Sequence, residues 1–196
     1  YQLQDIERVG QSLKSLRRLV QGDCQHVATA VTGSNVITKI IQVDTGINEN
    51  ELESQVYLEA EQIIPFPLDE VSLDFEILGM TADNSRQEVL LSAARTESVN
   101  GRVSALTEAG MNTMVVDVGV HALGRAVLAC LPELQTWDKP VGIVDIGASA
   151  MTFAVLLRGQ VIYSRLQNFG GDQYSQALAS FYSMSLEDAE LAKLQG

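Results

Sequence analysis

The chain has 196 residues, 46% of them hydrophobic and 19% charged, and its 25 acidic against 13 basic side chains give a formal charge of -12. That apolar content is enough to fill a core and excludes global disorder, while the negative field excludes nucleic acid as the main partner. No apolar run reaches the roughly 18 residues that a membrane-spanning helix needs and no signal peptide is recognisable, so direct membrane insertion is not expected.

Ile6, Val9, Leu13, Leu16, Leu19 and Val20 are spaced as the apolar stripe of a helix over residues 5–20. Lys14, Arg17 and Arg18 complement its dipole, and Gly22 is its expected stop. His26 to Val31 predicts a short buried strand, followed by a turn at Thr32-Gly33-Ser34-Asn35. The β-branched run from Val36 to Val43 predicts a strand. Asn48 and Glu51 form a capping box for a helix that buries Leu52, Val56, Ala60 and Ile63. Its acids Glu49, Glu51, Glu53, Glu59 and Glu61 read as a solvated face rather than a binding surface. Pro65-Phe66-Pro67 ends that helix.

Val71, Leu73, Phe75 and Ile77 alternate with polar residues as in a half-buried strand, Thr81 to Arg86 is a hairpin loop, and Glu88 to Arg95 is the hairpin's outer arm. A helix through Val99, Val103 and Leu106 stops at Gly110, and Met111 to Val116 returns as a strand. The resulting βαββαβ order over residues 36–116 predicts a compact α+β unit with two helices on one face of an antiparallel sheet. Beyond it, Val120, Leu123, Val127 and Leu131 form the buried stripe of a helix over 117–131, and Pro132 to Pro140, with Trp137, is a linker.

Val141 to Val144 is a buried strand that delivers Asp145 to a turn, Ile146-Gly147-Ala148-Ser149-Ala150-Met151-Thr152. A hairpin about Arg158-Gly159 follows, Phe169-Gly170-Gly171-Asp172 opens a helix to Tyr182, and Ser185 with Asp188 caps a last helix. A strand ending in Asp-x-Gly suits a phosphate clasp. Turn amides point at phosphate oxygens, a carboxylate holds a water of Mg²⁺, and Ser149 or Thr152 adds a hydroxyl. By itself the tripeptide is also what an ordinary hairpin turn uses. The Gly170-Gly171 helix start, a second anion-friendly place, is what favours the clasp.

This context resembles the second phosphate loop of the actin, heat-shock-chaperone and sugar-kinase superfamily. Thr32 to Lys39, Glu59 to Leu68, Val115-Val116-Asp117-Val118, Val144-Asp145-Ile146-Gly147 and Leu186 to Lys193 resemble, in order, the PilM family of FtsA-like proteins of type IV pilus assembly. The resemblance implies an α/β actin-like fold with an inserted α+β subdomain. Residues 1–35 become part of subdomain 1A, 36–116 subdomain 1C, 117–140 the return helix of 1A and a linker, and 141–196 the start of subdomain 2A. The last strand of the 1C run has a second option, to rejoin 1A.

The resemblance also implies ATP and Mg in the full-length protein, with Asp145, Gly147, Ala148, Ser149, Thr152, Gly170 and Gly171 on the cofactor and Asp145 reaching the metal through water. It implies the cytoplasmic N-terminal tail of the inner-membrane protein PilN as partner, in a groove between 1A and 1C for which Ser34, Asn35, Val36 and Leu123 are the candidates by position. Other platform proteins would follow through PilN, in a cytoplasmic location peripheral to the inner membrane, with a homo-oligomer left open. Ala148-Ser149-Ala150 replaces the superfamily's Gly-Gly-Thr, which limits any ATPase to slow turnover. Tyr1 in place of an initiator Met, and an acidic helix ending at Gly196, read as a segment of a longer protein that by itself binds no nucleotide. The alternatives are an actin-fold ATPase or kinase and the related cytoplasmic domain of a type II secretion platform protein.

Cys24 and Cys130 form neither a disulfide framework nor a metal motif and read as reduced, packed side chains. His26 and His121 have no partners at ligand spacing, and Asp117 reads as a helix cap. No residue is assigned a catalytic role.

Overall fold

A computed structural model describes residues 5–20, 25–33 and 36–195. The expected roles of Gly22, Cys24, Ser34 and Asn35 fall outside these residues. The chain divides into two compact units, residues 1–119 and 120–196.

In the first unit, α1 (Ile6–Arg17) starts where Asp5 accepts a hydrogen bond from the Arg8 amide at 2.9 Å. It packs on α3 (Thr96–Glu108) through Gly10, where a Cβ would stand 2.7 Å from Glu108 Cγ and 3.2 Å from the Ala105 carbonyl oxygen. Arg17 closes the pair by donating to the Gly110 carbonyl at 2.7 Å. Strand β1 (His26–Val31) and strand β5 (Asn112–Val118) run parallel beside each other, with α3 against them. A parallel pair needs a crossover of a dozen or more residues, and everything between these strands supplies it.

That crossover contains a sheet of its own. Strands β2 (Val36–Asp44), β3 (Val71–Met80) and β4 (Arg86–Arg95) form an antiparallel sheet in the order β2-β4-β3. Helix α2 (Glu49–Ile63) covers one face, and the expected capping box is present: the Glu51 amide donates to Asn48 at 3.0 Å and the Asn48 amide to Glu51 at 3.1 Å. Leu52, Val56 and Ala60 meet Ile41, Val43, Val89, Leu91 and Ala93 in a closed core, as the spacing predicts, with Ile63 half-buried beside them.

Two expectations are corrected. β4 is the central strand rather than the outer arm, which explains why Ala94 is buried along with Val89, Leu91 and Ala93: the strand has neighbours on both sides. The fourth strand of the βαββαβ run, β5, takes the second option and pairs with β1, and α3 packs chiefly on α1 and beside β5, so of the two helices α2 is the one that fills the core of the three-stranded sheet.

In the second unit, α4 (Gly119–Cys130) lays Val120, Leu123, Val127 and Leu128 on a sheet of β6 (Val141–Ile146), β7 (Met151–Leu157) and β8 (Gln160–Gln167), around buried Ile143, Ala154 and Leu156. The close approach falls at Gly124, where a Cβ would stand 2.7 Å from Val161 Cγ2. Strand β5 runs to Val118, so Asp117, expected as a helix cap, lies in the strand and accepts from the Val118 amide at 2.7 Å. Leu131 is 46% exposed and Cys130 is a free, exposed thiol rather than a packed one, because the end of α4 runs past its apolar partners. The β7–β8 turn has positive φ at Arg158 (49°) and Gly159 (78°), as a two-residue hairpin requires. Helices α5 (Gly171–Tyr182) and α6 (Leu186–Gln195) complete the unit.

Candidate functional site

The Asp145 loop is exposed from Val144 to Ala148, and Ser149 is half-buried. Asp145 and Thr152 are directly opposed in the β6–β7 ladder, so a carboxylate and a hydroxyl share one sheet face at its open end. The chain then turns on itself, with the Gly147 amide donating to the Ala150 carbonyl at 2.9 Å. A Cβ on Gly147 would sit 3.0 Å from that same oxygen, so the turn is tight around glycine.

The first turn of α5 fastens this loop. The Gly171 amide donates to the Gly147 carbonyl at 3.0 Å and the Asp172 amide to the Ala148 carbonyl at 2.7 Å. The Gly170 amide is taken by Gln173 Oε1 at 2.8 Å. A Cβ on Gly170 would stand 2.5 Å from both the Gly147 and the Ala148 oxygens, so backbone crosses backbone here. The three amides at this helix start therefore already have acceptors. Gly171 and Asp172 hold the loop, and Gly170 packs against it.

Behind α5 lies a polar cluster that sequence spacing did not single out. Ser175 is fully buried. Its hydroxyl lies 3.0 Å from the Gly171 carbonyl oxygen and makes a short hydrogen bond to Glu190. Lys193 donates to Ser175 at 2.9 Å and to Glu190 at 2.8 Å. The lysine and the serine hydroxyl hold the Glu190 carboxyl below its ordinary range. The i, i+3 spacing of Glu190 and Lys193 was visible in the sequence, but their shared partner on another helix was not.

Of the peptide-site candidates, Val36 is half-buried and pairs with Ala94, and Leu123 packs against the Ile143, Ala154 and Leu156 cluster of the second unit. His26 Nδ1 lies 3.4 Å from Nδ2 of the Asn112 side chain. Among the described residues no group of three or more His, Cys, Asp and Glu is placed to hold a metal ion, and no helix is long and apolar enough to cross a membrane.

A family profile described as type IV pilus assembly protein PilM matches residues 1–196. The chain belongs to the PilM family. A solved PilM-PilN type IV pilus biogenesis complex is similar at 30% identity and a TM-score of 0.84, covering 98% of this chain and 57% of that one. The ethanolamine utilization protein EutJ from Carboxydothermus hydrogenoformans shares the fold at 15% identity and a TM-score of 0.53, covering 97% of this chain and 46% of that one. The architecture is the mixed α/β, actin-like one that the resemblance implies, and the chain spans little more than half the length of its PilM relative.

Proposed function

We propose that this chain is part of a type IV pilus assembly scaffold that docks the cytoplasmic tail of PilN and carries one side of an ATP site. Family membership and the similarity to a PilM-PilN complex support the scaffold and its partner. The exposed Asp145 loop, held open by the first turn of α5, carries the nucleotide part.

Asp145 and Thr152 would meet the metal and phosphate, while Gly147, Ala148 and Ser149 offer the turn. The donor set fits Mg²⁺ held through water: Mg²⁺ uses one or two carboxylates, keeps several waters and takes its remaining oxygens from phosphates. When bound, that ion would neutralise phosphate charge. Asp145 would orient one of its waters, and the Gly147–Ala150 turn would keep the backbone near the phosphates. Ala150, where a threonine is usual in the superfamily, leaves slow turnover as the expected activity. The three-stranded sheet with α2, which begins at Val36, is the proposed peptide-docking module, and location at the inner membrane would follow from PilN.

Titration of the intact protein with a labelled PilN N-terminal peptide, and separately with a non-hydrolysable ATP analogue and Mg²⁺, tests both halves. Saturable binding of both is expected. Nucleotide binding without peptide binding would shift the reading to an ATPase or kinase.

A further inference from the structure

The polar cluster on α5 and α6 is joined to the Asp145 loop by an unbroken run of hydrogen bonds. It starts at the Gly147 and Ala148 carbonyls, which accept from the Gly171 and Asp172 amides. It continues at the Gly171 carbonyl, which faces the Ser175 hydroxyl, and ends at Lys193 and Glu190 on α6. The outer links join the loop to α5 and α5 to α6, and the residue between them is a serine with no exposure at all. A buried hydroxyl must keep its partners, because leaving one unmet costs the desolvation of the group. We propose that Ser175 is a positioning residue: with Lys193 and Glu190 it fixes the first turn of α5, and through it the conformation of the Gly147–Ala150 loop.

Three features make this more than local packing. A serine bonding to the carbonyl four residues back tends to bend a helix, and here that carbonyl belongs to the first residue of α5, which holds the loop. The hydroxyl has one proton and several neighbours. It accepts from Lys193 and shares its own proton between Glu190 and the Gly171 oxygen, so removing Lys193 from α6 disturbs a bond on α5. Finally, Lys193 Nζ lies 3.4 Å from where a Cβ on Gly171 would stand, so the ammonium itself sits beside the turn that grips the loop. The arrangement makes α6 and the loop parts of one hydrogen-bonded network.

The inference rests on the nucleotide reading only for what the loop is for, not for how it is held. Hydrogen exchange of the intact protein tests the holding directly. Ser175→Cys fills the space with a weak hydrogen-bonding group, Ser175→Ala leaves it open, and Lys193→Met breaks the network from the half-exposed side. All three are expected to speed exchange at the Gly147, Gly171 and Asp172 amides, which make the loop's bonds, by about tenfold, with Ile143, Ala154 and Leu156 unchanged. Native-like exchange in S175C and K193M, or faster exchange confined to α6, overturns the proposal.

In the same proteins, binding of the ATP analogue with Mg²⁺ is expected to weaken along with the loop. If the native protein binds no nucleotide but the variants loosen the loop, the positioning role stands and the nucleotide reading falls. If the native protein binds nucleotide and the variants keep native exchange, the reverse holds.

Discussion

At Asp145 a single carboxylate carries the expected metal chemistry. Replacing it with Asn keeps the size and removes the charge. Since hydrogen bonds to charged groups contribute about 1.5–3 kcal/mol, Mg²⁺-dependent nucleotide affinity is expected to fall by about tenfold or more. Calorimetry with and without Mg²⁺ checks this, and an equal loss in both conditions would remove the metal role. Gly170 makes the opposite kind of case. Its φ of -164° suits any residue, yet an added methyl meets two carbonyl oxygens. Gly170→Ala is expected to cost about 1–3 kcal/mol, the usual range for overpacking, and to loosen the loop. A thermal melt at native level in G170A would mean that the loop moves aside easily.

Single side chains differ in how much of their place the sequence shows. Asp145, Gly147, Gly170 and Gly171 do converge on one place, because a strand end, a turn and a helix start each leave a local signature. Ser175 left none: an isolated serine on a helix looks the same in sequence whether it faces water or lies fully buried.

At the scale of elements, caps and periodicities transferred well. The box at Asn48 and Glu51 is built from neighbours three residues apart and forms as spaced, and Asn48→Ala is expected to cost about 1 kcal/mol in denaturant unfolding. Ser185 likewise accepts from the Asp188 amide at 3.1 Å. The α5–α6 link has a pH dependence of definite sign. Its Glu190 carboxyl is lowered below 4.5 by Lys193 and Ser175, so the pairing is fully present above the unfolded carboxyl's range and is lost as the pH falls through the folded value. Protection of the α6 amides relative to their intrinsic exchange rates is therefore expected to fall in acid below that range while staying level toward neutral pH, with E190Q removing the dependence. Asp83 is lowered to about 2, held by Thr81 and Ser85 in the β3–β4 loop, so that hairpin tip keeps its charge well into acid.

Among the described residues, buried apolar side chains gather in a cluster in each unit. Leu91 has no exposure on the central strand β4, and Leu91→Ala is expected to cost about 2–5 kcal/mol in urea unfolding. A loss under about 1 kcal/mol would mean that the α2 core collapses readily around the gap.

The amino-acid order by itself determined which segments are strands and helices, where most begin, and that Asp145 sits at a strand end before a glycine turn. These are short-range properties, set by periodicity, caps and turn residues acting over a few positions. Only the tertiary structure decided that β4 is central, that β5 leaves the βαββαβ sheet for β1, and that Ser175 lies between the loop and α6. A strand's alternation states which face it buries but not which neighbour it hydrogen-bonds, and a buried hydroxyl is defined by partners from other elements, so both emerge only when distant parts of the chain pack together.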